Sequence, residues 1–217
     1  MTAPVAAGNL SSHPPSPIAI VTIDGPTASG KGTVARLVAQ SLGFHYLDSG
    51  AIYRVLAYVA KIKTVAWQDV AGLTILAAQL APRFMGEQVW LDDTDISSPI
   101  RSEAISQGAS AVAAHAPVRQ ALLLLQRGFA KPPGLVADGR DMGSVVFADA
   151  QWKFFLDASA EVRAQRRYRQ LLAMGVEVNF DAILRDLQTR DARDRERGVA
   201  PLQRLATAQR YIFTDLL

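Results

Sequence analysis

The chain has 217 residues and no cysteine, which excludes disulfides, thiolate nucleophiles and cysteine-based zinc sites. With 49% hydrophobic and 20% charged residues it can build one α/β core with a small insertion, and its three histidines give little basis for a histidine-rich metal site. The net charge of +3 hides a bias of 18 arginines against 5 lysines, and a planar guanidinium fork suits anions, so a small anionic ligand or nucleic acid is implied.

Residues 1–17 are rich in Pro, Ser and Ala and are expected to form a disordered leader. They lack the charged and apolar regions of a signal peptide, and no later run reaches membrane-spanning length, so a cytoplasmic protein without a membrane partner is expected. The β-branched run 18–24 is predicted to be a buried strand. Gly25, Pro26, Thr27, Ala28, Ser29, Gly30, Lys31, Gly32 and Thr33 follow, and then a helix in which Val34, Leu37, Val38 and Leu42 recur at helical spacing. Strand, glycine turn and helix are the context a phosphate-binding loop requires: backbone N–H groups and the helix N-terminus face the anion, and Lys31 adds a mobile charge. The hydroxyl that serves a metal arrives one position later than usual, at Thr33, because Gly32 follows Lys31. Thr33 can reach Mg²⁺ directly or through water.

A second strand is expected to end at Asp48, where Ser49-Gly50 turns into a helix over 51–61. Side chains at the carboxyl end of such a strand lie beside the ligand crevice, and Tyr53 and Arg54 fall in the first turns of that helix. The alternatives are plain: Asp48 or Ser49 as a cap, Tyr53 as core, Arg54 in solvent. A loop and an apolar helix follow to 81, then short strands over 84–96 that interrupt the βα rhythm and predict an insertion beside the main sheet. Two helices, 101–114 and 117–126, break near Pro117. Ser110 and Arg119 on them have the groups needed to read a pyrimidine edge, or are ordinary surface residues.

The apolar run 135–137 ends in Asp138-Gly139-Arg140-Asp141. Asp138 stands where a second carboxylate helps hold Mg²⁺, Arg140 can grip a phosphate, and Asp141 can accept from an exocyclic amino group. A buried strand over 152–157 precedes a helix over 160–173 that carries Arg163, Arg166, Arg167 and Arg169. Such a row either closes over phosphates or is a solvated face, the latter being the expectation for Arg163 and Arg169. In the alternating charges of 186–197, Arg190, Asp194 and Arg197 share a helix side at spacings four and three, and an Asp between two arginines can hold a ribose hydroxyl while they hold phosphate. A last short strand is expected at 211–213.

A cradle for one polyphosphate and a surplus of arginine for a second anion fit phosphoryl transfer between nucleotides, which needs positioning and neutralisation rather than a base. At this point the chain resembles the bacterial cytidylate kinases, among the nucleoside monophosphate kinases. The resemblance runs from about 20 to about 201. It rests on Asp24-Gly25-Pro26 with Gly30-Lys31-Gly32-Thr33, on 47–54, on Asp138-Gly139-Arg140-Asp141-Met142-Gly143, and on 190–197 with Val199-Ala200-Pro201-Leu202.

The resemblance implies an α/β phosphate-loop nucleoside monophosphate kinase fold with a five-stranded parallel sheet flanked by helices. It implies a core of 18–61 and 99–217, a monophosphate-binding insertion at 62–98 and a lid near 163–175. It implies ATP and Mg²⁺, with CMP or dCMP as acceptor and UMP accepted less well, in a monomer without nucleic acid. Ser110, Arg119 and Asp141 would surround the cytosine, Arg190 and Asp194 the ribose, and Arg54, Arg140 and Arg197 the acceptor phosphate, with Ser49 and Tyr53 lining the pocket. Lys31, Arg140, Arg166 and Arg197 would act on the transferring group. Ala28 replaces a glycine frequent in the family and is tolerable only at negative φ. The rivals are a phosphate-loop kinase of another monophosphate or metabolite, and a nucleotide switch. Guanine-reading switches carry Asn-Lys-x-Asp, and this chain has Asn only at Asn9 and Asn179.

Overall fold

The computed structural model describes residues 18–86, 88–173 and 175–212. The leader, Phe213 of the expected last strand and the chain's end lie outside them. The chain alternates strand and helix: β1 (Ala19–Asp24), α1 (Lys31–Leu42), β2 (His45–Asp48) and α2 (Ser49–Ile62). Next come α3 (Val70–Ala78), β3 (Arg83–Met85), β4 (Gln88–Leu91), β5 (Thr94–Asp95), α4 (Glu103–Val112) and α5 (Ala116–Arg127). Then follow β6 (Gly134–Gly139), β7 (Trp152–Asp157), α6 (Ala160–Ala173), α7 (Phe180–Glu196) and β8 (Gln209–Ile212).

Five strands form one parallel sheet in the order β2-β6-β1-β7-β8. Alternation assigns its two faces. Leu135 and Ala137 of β6 join Leu47 in a large apolar cluster with α2 residues Ile52, Val55, Leu56 and Val59. Val136 points the other way, with Val21, Ile23 and Leu156, against Ala35 and Ala39 of α1. Gly43, at φ 64, ends α1, and its N–H donates to the Gln40 carbonyl.

The strands β3, β4 and β5 make a separate antiparallel sheet. Val89 and Ile96 from it, and Leu73 and Ala77 from α3, enter the same apolar cluster as α2. Trp67 is the anchor: its indole N–H donates to the Ala57 carbonyl at 3.1 Å, and its ring lies where a Cβ on Gly108 would come within 2.4 Å.

Two strand expectations need correction. Trp152 at the head of β7 is 50% exposed, so that strand is buried only toward its carboxyl end. The last strand begins at Gln209, and all four of its described side chains are exposed, because it forms the edge of the sheet.

Candidate active site

Parallel pairing puts the ends of β1, β2 and β6 side by side, with Asp48 opposite Asp138 and Asp24 opposite Gly139. The phosphate loop leaves β1 here. Gly25 is required by close approach, since a Cβ on it would sit 2.1 Å from the Leu156 carbonyl oxygen. Gly30 takes φ 89 to open α1 at Lys31. Gly32 explains the displaced hydroxyl: a Cβ there would meet Asp138 Oδ2 at 2.9 Å. Thr33 is exposed and lines an outer cleft with Leu37, Phe44 and Phe129, whereas Asp138 is buried. Ala28 departs from the sequence expectation and adopts φ 61. For a residue with a Cβ this left-handed conformation costs about 1–2 kcal/mol.

Lys31 is buried, and its ammonium donates to the Pro26 carbonyl at 3.3 Å. Burial and the nearby Arg140 lower its pKa to about 8, against the pull of Asp138. Burial and the Asp48 charge push the Asp138 carboxyl up to about 6, opposed by Lys31 and by the Tyr46 hydroxyl, which donates to Oδ2 at 2.9 Å. Arg54 pairs with Asp48 at 2.9 Å, and Asp48 also caps α2 by accepting from the Ala51 N–H. The cap reading of Asp48 therefore holds. Ser49 is the first residue of that helix rather than part of a turn before it, and its hydroxyl donates to Gln126 Oε1 at 2.8 Å.

Arg140 bridges this loop to a neighbouring cluster of charged side chains: Nε donates to Asp194 Oδ2 at 2.9 Å and Nη2 to the Thr27 hydroxyl at 2.5 Å. Beyond it, Arg119 pairs with Asp141 and stacks over the Tyr53 ring at 5.5 Å from its centroid. Arg197 completes the group, 3.8 Å from Asp141 and 3.9 Å from Asp194. It caps α7 rather than lying within it, and burial lowers its pKa. Burial also pushes the Tyr53 hydroxyl up to about 12. Burial tends to raise the Asp194 pKa, but Arg140, Arg197 and Arg190 outweigh it and hold the carboxyl below its ordinary range. Several donors here are buried without a hydrogen-bond partner: the Tyr53 hydroxyl, Arg54 Nε and Arg197 Nη2, with the Ser29 hydroxyl in the loop itself. Buried donors in this state are uncommon in folded proteins, and their clustering here marks the group as a candidate site.

Ser110 lies at the rim, accepting from Arg193 at 2.9 Å. Arg190 faces Asp186 at 3.7 Å and Glu103 at 3.9 Å. Arg166 reaches the phosphate loop, donating to the Ser29 carbonyl at 3.2 Å, while Arg169 is exposed as expected. Arg163 is the clear correction. It is 2% exposed, with its guanidinium paired to Asp191 and bonded to the Thr27 carbonyl.

Sequence reasoning also missed Asp24, whose carboxylate accepts from the Met142 and Gly143 N–H groups at 2.8 Å each. It stands inside the motif Asp24-Gly25-Pro26, and that was the available signal. Among the described residues no group of three or more His, Asp or Glu is placed to hold a metal ion.

The cytidylate kinase family model matches residues 21–216. The cytidylate kinase of Cupriavidus pinatubonensis is 53% identical over 197 residues, 91% of this chain and 89% of that protein. That of Burkholderia multivorans is 54% identical over 199 residues, 92% of this chain and 87% of that protein. A solved structure, TT1252 from Thermus thermophilus, is 20% identical with a TM-score of 0.42 over 91% of this chain and 90% of its own, a likeness too slight to add to these. A family model spanning nearly the whole chain and relatives with half their residues in common leave one assignment: the chain belongs to the cytidylate kinase family.

Proposed function

We propose that the protein transfers the γ-phosphoryl group of ATP directly and in line to CMP and dCMP, and to UMP less well, as a cytoplasmic monomer. Family membership supports the kinase activity on cytidylate. The observation that carries the finer reading is the joined pair of sites: a phosphate loop with buried Lys31, tied through Arg140 and Asp194 to a pocket of Tyr53, Arg119, Asp141 and Arg197 with unpartnered donors. No helix among the described residues is long and apolar enough to cross a membrane.

In this reading the loop N–H groups and Lys31 hold the ATP phosphates, and Arg166 approaches from the lid side. Arg54, Arg140 and Arg197 hold the acceptor phosphate, while Arg190 and Asp194 take the ribose. Asp141, oriented by Arg119, accepts from the exocyclic amine, which UMP lacks. Ser49 keeps Gln126 in place behind Tyr53, and Ser110 closes the rim. The acceptor is a phosphate oxygen ionised at neutral pH, so no general base is assigned. The donor set fits a divalent cation that keeps its waters: a buried carboxylate, Asp138, and, among the described residues, no all-protein cage, the habit of Mg²⁺ among substrate phosphates. When bound, such a cation neutralises charge developing on the phosphoryl oxygens. Thr33, exposed on α1, would reach it only through water.

The test is a coupled ADP-release assay with ATP and Mg²⁺ against CMP, dCMP, UMP, AMP, GMP and shikimate. Fast turnover with CMP and dCMP, slower with UMP and background with the rest is expected. Activity on AMP or shikimate alone would discard the base-reading roles of Ser110, Arg119 and Asp141. Lys31→Ala is expected to lower kcat about 10²-fold or more in the same assay. Asp141→Ala is expected to raise KM for CMP more than for UMP, and equal effects would remove the amine-reading role.

A further inference from the structure

Arg163 is placed where a guanidinium is costly. It lies in the first turn of α6, at the positive end of the helix dipole, with 2% of its surface exposed. Four bonds use the charge. Nε donates to the Ala158 carbonyl at 2.9 Å, Nη1 to Asp191 Oδ1 at 3.2 Å and the Thr27 carbonyl at 3.1 Å, and Nη2 to Asp191 Oδ2 at 2.5 Å. One side chain therefore joins the end of β7, the middle of α7 and the phosphate loop.

The bond to the loop falls at its weakest peptide. Thr27 precedes Ala28, the loop residue with a Cβ held at φ 61. Rotating the Thr27–Ala28 peptide would return Ala28 to negative φ and release that strain, so alanine, unlike glycine, pulls toward the flip. The flip would also exchange directions. In a trans peptide the C=O and N–H point opposite ways, so a carbonyl anchored toward Arg163 sends the Ala28 N–H to the other side. After rotation a carbonyl oxygen would stand where that N–H had been, a poor neighbour for phosphate.

We propose that Arg163, oriented by Asp191, is a positioning residue that holds the Thr27–Ala28 peptide in its phosphate-binding orientation against the strain of Ala28. The proposal rests on the kinase reading of this loop and goes beyond it in assigning the loop's shape to a buried ion pair between α6 and α7. Arg140 grips the same residue by its hydroxyl, which fixes the side chain but leaves the peptide plane to Arg163.

The test compares R163M/D191L in the Ala28 and Ala28→Gly backgrounds, because replacing a buried ion pair by apolar groups leaves no charge stranded. Thermal melts establish folding, calorimetry measures ATP binding without CMP, and steady-state assays give KM for each substrate. In the Ala28 background ATP binding is expected to weaken about 10- to 100-fold while KM for CMP stays within about threefold. Ala28→Gly is expected to restore about tenfold of the lost affinity. R163K, which keeps a charge for Asp191 without the fork to Thr27, is expected to behave like the double variant. Should R163M/D191L fail to melt cooperatively, Asp191→Asn must show a smaller loss with the same rescue. Equal weakening in both backgrounds, or an equal rise in both KM values, overturns the proposal. A wild-type protein that binds ATP but does not phosphorylate CMP would overturn the kinase reading alone, since the calorimetry still decides the role of Arg163.

Discussion

Asp24 shows how one buried carboxylate sets both the geometry and the pH behaviour of the site. Its two oxygens hold the Met142 and Gly143 N–H groups, fixing the turn just beyond Arg140 and Asp141, and burial pushes its pKa up to about 6 despite those bonds. Protonation removes an acceptor from that turn, so KM for CMP is expected to rise as pH falls through about 6. Asp24→Asn is expected to flatten that limb at a raised KM, which a pH series would show. Stability moves the opposite way. A carboxyl whose folded pKa exceeds its unfolded value costs stability when charged, and the cost is relieved as pH falls from about 6 toward the ordinary value of 3.8. Denaturant titrations at pH 7 and pH 4 are expected to show the wild type gaining up to about 2–3 kcal/mol relative to Asp24→Asn. Lys31, Asp138, Arg140 and Asp141 could be picked out as candidates because each sits in a motif whose spacing carries chemistry, and the structure brings them to one end of the sheet. Arg163 was not: in an arginine-rich helix the buried guanidinium looks like its neighbours, and its partner hides among alternating charges 28 residues away. The dihedral of Ala28 is likewise set by the loop around it, not by its own residue type.

At the scale of elements, strands and helices were readable from periodicity and from glycine, proline and aspartate at their ends. What periodicity does not carry is how the segment around α3 and the small sheet is fixed to α2 and α4. That depends on Trp67, whose ring fills the space above Gly108 of α4 while its carbonyl accepts from the His115 ring at 2.9 Å. Gly108→Ala would place a methyl within 2.4 Å of the indole, and overpacking of this kind costs about 1–3 kcal/mol. A lowered denaturation midpoint, with exchange of α3 amides accelerating before that of β1 and β6, is the expected result. The α6–α7 pair is held to the phosphate loop by Arg163 and Arg166 and to Arg140 by Asp194, but it is tied more lightly to α4. Arg167 reaches Glu103 of α4 at 3.0 Å and Arg193 reaches Ser110 at 2.9 Å, both near the surface. Such contacts are each worth about 0.2–1 kcal/mol, so Glu103→Ala is expected to speed exchange of α6 amides only about two- to fivefold. We propose that these light ties to α4 let the part of α6 beyond Arg163 and Arg166 open for substrates and close over them, which excludes water from the transfer. Solution scattering without compaction when both nucleotides are bound would argue against it.

Across the whole molecule the sheet presents a row of aspartates at its carboxyl edge, Asp24, Asp48, Asp138 and Asp157, while the arginines come from helices, from the end of α7 and from the loop after β6. Each arginine assigned to the acceptor side already has a carboxylate beside it: Arg54 with Asp48, Arg119 with Asp141, Arg140 with Asp194, Arg197 with both Asp141 and Asp194. From several ångströms away such a mouth looks nearly neutral, and the chain's net charge of +3 adds little. An arriving nucleotide is then not drawn in from solution; it exchanges with counter-ions the protein already holds, and only on contact. Electrostatic steering fades steeply with ionic strength, whereas short-range exchange inside a partly buried pocket does not. The association rate of CMP should therefore stay nearly flat from dilute buffer to physiological salt, leaving the cell's ionic conditions little purchase on how fast the enzyme finds its substrate.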